Sequence, residues 1–287
     1  MSGVLDRAVT YGRMIRFSHS AFALPFALTS TALAARLSGI TALQVLWIVV
    51  AMVAARSAAM GFNRLVDHEL DARNPRTAGR ELPRGVLSRR EVWGFIVISS
   101  AVFVLAAGML NPLCLALSPV ALALALGYSY TKRFTAGSQL VLGLALAVAP
   151  VGAWLAVRGQ FDTVPIVLGL AVLFWVAGFD TIYACQDVGF DREEKLHSIP
   201  ALVGVSTALM VARGMHVLTV LLLLWLYWLA SLHPVYLVGV AAVALLLAWE
   251  HTLVRADDLS RVMLAFNING WVSVVYFAFT LAATWLV

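Results

Sequence analysis

The sequence predicts an all-helical protein threaded many times through a membrane, and three observations carry that prediction. Of the 287 residues, 62% are hydrophobic and only 12% are charged, with a mean hydropathy of +0.90. A soluble domain has roughly 45–50% apolar and about 25% charged residues. The apolar residues fall into runs of the length a helix needs to cross a bilayer, roughly 20 residues. The basic residues are confined almost entirely to alternate connections between those runs, as the positive-inside rule requires.

Nine runs qualify: 20–37, 42–61, 92–110, 113–129, 138–157, 163–182, 206–231, 235–254 and 264–287. Only Asn111-Pro112 separates the third from the fourth, and His233-Pro234 splits the seventh from the eighth. Proline rarely continues a helix, so both are read as tight turns. With the N-terminus inside, the inner segments are 1–19, 62–91, 130–137, 183–205 and 255–263. Together with Arg56 and Arg213, taken as helix-end residues, they hold 18 of the 20 Lys and Arg residues. Arg36 and Arg158 alone fall outside. The expected topology is therefore a multi-pass protein of the inner (cytoplasmic) membrane, N-terminus cytoplasmic and C-terminus outside.

The net charge of +5 does not indicate nucleic acid, because the cations lie in short loops between spans rather than on a soluble face. Cys114 and Cys185 fall at opposite membrane faces, which excludes a disulfide framework. The run after Arg7, Arg13 and Arg16 lacks a convincing A-x-A-like site and is followed by many spans, so no cleavable signal is expected. Trp225, Trp228, Trp271 and Trp285 read as interfacial or lipid-facing. The whole of 1–287 is expected to form a single domain.

Two inner loops stand out, 63–91 and 180–200. The first opens Asn63-Arg-Leu-Val-Asp67-His-Glu-Leu-Asp71, the second Tyr183-Ala-Cys-Gln-Asp187-Val-Gly-Phe-Asp191. Asp67 and Asp187 are 120 residues apart, as are Asp71 and Asp191. Four spans intervene, so the copies lie on one membrane face, and the chain resembles an internal duplication of two parallel halves. Asp at i and i+4 on a helix end places two carboxylates on one face. Such a pair repels itself unless a cation sits between. Mg²⁺ takes carboxylate oxygens together with substrate phosphates, and two facing pairs would hold ions that clamp one diphosphate, with nearby Arg and Lys neutralising the remainder. A single pair would read as solvated loop charge. Two copies bordering apolar spans, where acids are costly, read as a site.

These motifs resemble those of the UbiA family of membrane prenyltransferases. Asn63-x-x-x-Asp67-x-x-x-Asp71 is similar to that family's first signature, followed as in the family by Arg76-Thr-Ala-Gly-Arg80-Glu-Leu-Pro-Arg-Gly85. Asp180-x-x-Tyr183-x-x-x-Asp187-x-x-x-Asp191 is similar to the second, and Tyr128-x-x-x-Lys132 to the basic motif after the fourth helix. Arg16-Phe-Ser-His-Ser and Ala23-Leu-Pro-Phe26 resemble the first helix of the 4-hydroxybenzoate branch.

The resemblance implies a helical barrel with a cavity open sideways to lipid and a cytoplasmic-side cap made by the two motif loops. It implies that Asp67, Asp71, Asp187 and Asp191 ligate Mg²⁺, with Asn63 assisting. Arg16, Tyr128 and Lys132 would contact the diphosphate, with Arg76 and Arg80 as further candidates. The implied reaction moves a polyprenyl group from a polyprenyl diphosphate to an aromatic acid, 4-hydroxybenzoate in quinone biosynthesis. The alternative acceptor is a hydroxynaphthoate on the way to menaquinone. Tyr183 is the first candidate to stabilise an allylic cation through its ring, and Asp180 a candidate base or acceptor-orienting group.

Other polar residues read more plainly. His19 is expected to be structural, Glu250 and His251 interfacial, and Asn267 and Asn269 interhelical bonding groups. Gly143, Pro150 and Gly152 read as close packing or a kink. Three other classes compete: a secondary transporter, a CDP-alcohol phosphotransferase and a purely structural membrane protein. A transporter has no need of paired Asp motifs on one face, the phosphotransferase element D-G-x-x-A-R is absent at Asp67-His-Glu-Leu-Asp71, and a structural protein would not keep so many ionisable groups at helix ends.

Overall fold

The computed structural model describes residues 2–15, 22 and 24–286. Arg16, His19 and Ala23 lie outside the described residues. Thirteen α-helices and one 3₁₀ turn account for the described chain, which contains no β-strand. The helices are α1 (Ser2–Met14), α2 (Leu24–Ser38), α3 (Ala42–Val66), α4 (His68–Arg73), α5 (Arg89–Leu110), α6 (Pro112–Thr131) and α7 (Ser138–Arg158), followed by α8 (Thr163–Ala184), α9 (Val188–Glu193), α10 (Ile199–Val203), α11 (Val205–Leu229), α12 (Val235–Leu253) and α13 (Val262–Trp285).

Among the described residues eight helices are long and apolar enough to cross a membrane: α3, α5, α6, α7, α8, α11, α12 and α13. The first of the nine expected runs corresponds to α2, whose 15 described residues span about 22 Å. Helix starts follow local chemistry. Thr41 with Gln44 and Ser88 with Glu91 form capping boxes that open α3 and α5, each satisfying otherwise orphaned backbone groups. At the expected Asn111-Pro112 turn, the Asn111 side chain accepts a hydrogen bond from the Cys114 amide and Pro112 takes the first helical position, where its missing N–H costs nothing. Gly159 ends α7 with φ +66, a left-handed cap that glycine adopts without strain.

Successive long helices pack against one another, and α13 returns to α2, closing a ring. One close approach in that ring depends on Gly143. A Cβ at Gly143 would run into the Leu173 carbonyl, so α7 and α8 meet backbone to backbone, the packing read from the sequence. The main core gathers α2, α7, α8, α11, α12 and α13 around Phe26, Trp175, Tyr236 and Tyr276. Trp225, Trp228, Trp271 and Trp285 are all exposed on the bundle's outer face, as expected.

Three polar residues sit elsewhere than the sequence suggested. Glu250 is not interfacial but fully buried. Asn269 on α13 donates to it at 2.9 Å while accepting from the Trp175 indole at 2.7 Å, so tertiary partners draw the acid into the bundle. Asn267 is exposed on α13. Arg56 is not at a helix end: α3 continues ten residues past it to Val66, and Arg56 faces a cavity.

Candidate active site

Both acidic motifs straddle a break between a long helix and a six-residue one. α3 stops at Val66, Asp67 turns the chain, and α4 carries Asp71. α8 ends at Ala184, the 3₁₀ turn Cys185–Asp187 follows, and α9 carries Asp191. Ending the long helix at the first aspartate places each second aspartate on a separate short helix. All four carboxylates line one end of a single cavity of about 710 Å³, together with Asn63, Tyr128, Lys132, Asp180 and Tyr183.

The cavity extends away from this charged end along α3, α6, α7 and α8, through apolar side chains as far as Ile48, Cys114 and Leu155. Asn63 and Ile48, both in its wall, are 15 residues apart on α3, a depth of about 22 Å. Val120, Leu144 and Leu170 line it and are also exposed on the outer face of the bundle, so the cavity reaches the surface that faces lipid.

Each motif carboxylate has a named partner. Asp67 is 3% exposed; its Oδ2 accepts from Asn63 at 3.0 Å and Lys132 Nζ at 2.7 Å, and its Oδ1 from Arg133 at 3.0 Å. Arg80 holds both oxygens of Asp71 at 2.6 and 2.7 Å. Arg76 forms a two-point ion pair with Asp187, and Asn74 donates to the same carboxylate at 3.1 Å. Ser198 donates to Asp191 at 2.8 Å. Arg76 also donates to the Tyr183 hydroxyl at 2.7 Å and stacks over its ring, which meets Phe266 on another side. Burial alone would lower the Arg76 pKa; the hydrogen bond and negative charge of Asp187 outweigh it, so the guanidinium is held above its ordinary value and stays charged at every physiological pH.

Among the described residues no three carboxylate, imidazole or thiol groups converge as chelators in this arrangement, because Asp67, Asp71 and Asp187 are each drawn onto a basic side chain. The donor chemistry nevertheless fits a hard divalent cation: four carboxylates and one amide oxygen, all oxygen ligands, beside basic groups suited to phosphate.

Residues 23–273 match the UbiA prenyltransferase family. The chain belongs to that family and is a prenyltransferase. This sets aside the transporter, phosphotransferase and purely structural readings. Among curated UbiA-type relatives, a 4-hydroxybenzoate octaprenyltransferase of Aeromonas hydrophila subsp. hydrophila is 34% identical over 231 residues, 80% of each chain. Another, of Azoarcus sp., is 30% identical over 283 residues, covering 95% of this chain and 96% of its own. An apo UbiA homolog from Aeropyrum pernix K1 superposes with a TM-score of 0.84 at 34% identity, covering 91% of this chain and 96% of that one. The UbiA homolog from Archaeoglobus fulgidus bound to DMAPP and Mg²⁺ shares the fold, with a TM-score of 0.76 at 20% identity over 97% of this chain and all of that one.

Of the residues picked from the UbiA-like motifs, Arg16 lies outside the described residues, and the other eleven all line the cavity. Four further residues were not singled out. Asn74, Arg133 and Ser198 bond motif carboxylates, and Arg56 enters the cavity wall between the charged end and the apolar depth. Adjacency to Lys132 was the one available signal for Arg133; Ser198 and Asn74 pair with their aspartates across 7 and 113 positions and carry no local mark.

Proposed function

We propose that the protein transfers a polyprenyl group from a polyprenyl diphosphate to an aromatic acid, 4-hydroxybenzoate, with Mg²⁺ as cofactor and diphosphate as the released product. One observation carries the reading: the aspartates of both motifs meet Lys132, Arg76 and Arg80 at the polar end of an apolar cavity about 22 Å deep that opens toward lipid. That shape suits a diphosphate headgroup with a long isoprenoid tail. The names of the relatives from Aeromonas and Azoarcus, and the DMAPP and Mg²⁺ bound by the Archaeoglobus homolog, support it.

Asp67, Asp71, Asp187 and Asp191, with Asn63, hold the cation. When bound, Mg²⁺ supplies charge neutralisation at the leaving diphosphate. Lys132, Arg76 and Arg80 exchange their carboxylate partners for phosphate oxygens, so each cation keeps an anionic partner throughout. Tyr128, one turn before Lys132, faces the same headgroup. Arg56 lies about 10 Å along α3 from Asn63, on the cavity side, and takes the acceptor's carboxylate through its planar fork. The allylic C–O bond breaks with its electron pair moving to the diphosphate oxygen. The Tyr183 ring, beside the reacting carbon, favours the positive charge that develops there. The acceptor ring attacks that carbon, and Asp180 receives the ring proton. The apolar depth excludes water, which would otherwise trap the allylic cation. The two motif loops form the cap, the N-terminus lies in the cytoplasm, and residues 1–287 act as one domain.

Purified protein in lipid, given one radiolabelled prenyl diphosphate and Mg²⁺, tests the acceptor. The expected result is transfer to 4-hydroxybenzoate and none to haem. Transfer to a dihydroxynaphthoate alone assigns the chain to menaquinone synthesis, and transfer to haem alone overturns the aromatic-acid reading.

A further inference from the structure

The two acidic motifs come from parts of the chain 120 residues apart and ride on α4 and α9, each only six residues long. Helices this short do not hold themselves in place. Whatever fixes their separation also fixes the span between Asp67 and Asp71 on one side and Asp187 and Asp191 on the other. Three side chains bridge the seam from the first loop. Two of them, Asn74 and Arg76, bond Asp187 directly, and on the function proposed above both contacts loosen when Asp187 turns to its cation and Arg76 to the diphosphate.

The third bridge has neither conflict. Arg73, the last residue of α4, meets Glu194, the residue that caps α9, through two parallel bonds: Nε to Oε1 at 2.8 Å and the second guanidinium nitrogen to Oε2 at 2.9 Å. Neither residue lines the cavity. The paired geometry fixes direction as well as distance. Its side chains are 52% and 26% exposed, so it contributes little to global stability.

We infer that Arg73 and Glu194 are positioning residues: a strap between the two motif loops that holds the halves of the cation–diphosphate site at their working separation while the inner contacts exchange partners. This rests on the site reading given above. A loosened strap weakens whatever binds across the seam, the donor headgroup and Mg²⁺, and leaves the acceptor, which binds on the Arg56 side, unaffected.

Charge reversal tests it. In the full-length protein in lipid, Arg73→Glu and Glu194→Arg should each raise the donor KM and the half-saturating Mg²⁺ concentration about five-fold, with the acceptor KM and the thermal midpoint unchanged. Arg73→Gln, which adds no repulsion, should shift the same two constants by less. The double exchange Arg73→Glu/Glu194→Arg should restore most of the loss. A merely structural role would lower the maximal rate and the thermal midpoint without separating donor from acceptor. Wild-type donor and Mg²⁺ constants in the single variants, or a double exchange no better than either single, overturns the strap. Asp187→Ala separates the two levels. If it is inactive while Arg73→Glu behaves as wild type, only the strap fails. If it is active, the site reading fails and the strap with it.

Discussion

Replacing Lys132 by Met separates catalytic charge from structural charge at the motif. Lys132 Nζ lies 2.7 Å from Asp67 Oδ2, and Arg133 holds the other oxygen of the same buried carboxylate at 3.0 Å. Stranding a buried charge by deleting its partner costs about 3–5 kcal/mol. Asp67 is not stranded, since Arg133 and Asn63 remain, and Lys132 is itself one-third exposed. The folding cost should therefore be near that of an ordinary exposed pair, about 1 kcal/mol or less. The catalytic cost is larger. An ammonium directed at charge that grows on the leaving group contributes of order 10² to 10³ in rate, or about 2.7–4 kcal/mol. Lys132→Met should thus lose at least 10² in turnover while its thermal midpoint falls by only a few degrees. Adding Arg133→Met strands Asp67 and should destabilise the protein by about 3–5 kcal/mol more. The assay pairs initial rates with a radiolabelled donor in proteoliposomes and thermal denaturation of the same preparations. A Lys132→Met enzyme that keeps a third of its activity, or loses stability and rate in parallel, refutes the assignment of Lys132 to the diphosphate.

Three further outcomes follow from named contacts. Gly143→Ala forces a methyl group against the Leu173 carbonyl and should destabilise by about 1–3 kcal/mol in thermal denaturation, while Gly152→Ala, with open space at its Cβ, should be neutral. Asn269→Ala removes the partner of both Glu250 and the Trp175 indole and should cost about 1–3 kcal/mol. Neither Gly143 nor Asn269 lines the cavity, so the folded fraction of these two variants should keep its turnover. From the distribution of basic residues, a tag at the C-terminus should be reached from outside intact cells and a tag within 76–86 should not; both on one side contradicts the proposed orientation.

Spans were the most legible feature. The expected runs 138–157 and 235–254 became Ser138–Arg158 and Val235–Leu253, because apolar length and Asn-Pro or His-Pro turns are local properties of the chain. The motif repeat was legible for the same reason: Asp67, Asp71, Asp187 and Asp191 declare themselves by spacing. Three things were not. The run 42–61 stops short of Val66, since Asn63 and Arg64 look like loop residues until their partners Asp67 and Met14 are known; this misplacement also took Arg56 for a helix end. Glu250 reads as interfacial until Asn269, 19 residues on, is seen to cover it. The partners of the motif carboxylates join residues up to 113 apart, and pairing at that range leaves no period or spacing in a single sequence.

The account stands on the two aspartate motifs acting together as one metal–diphosphate site. The most direct test is diphosphate release by purified protein in lipid, with a prenyl diphosphate and 4-hydroxybenzoate, comparing wild type, Asp67→Ala and Asp187→Ala with and without EDTA. The account predicts release that requires added Mg²⁺, and a fall of 10² or more in each variant although both remain folded in the membrane. Undiminished release in EDTA, or near-normal release by either variant, contradicts it.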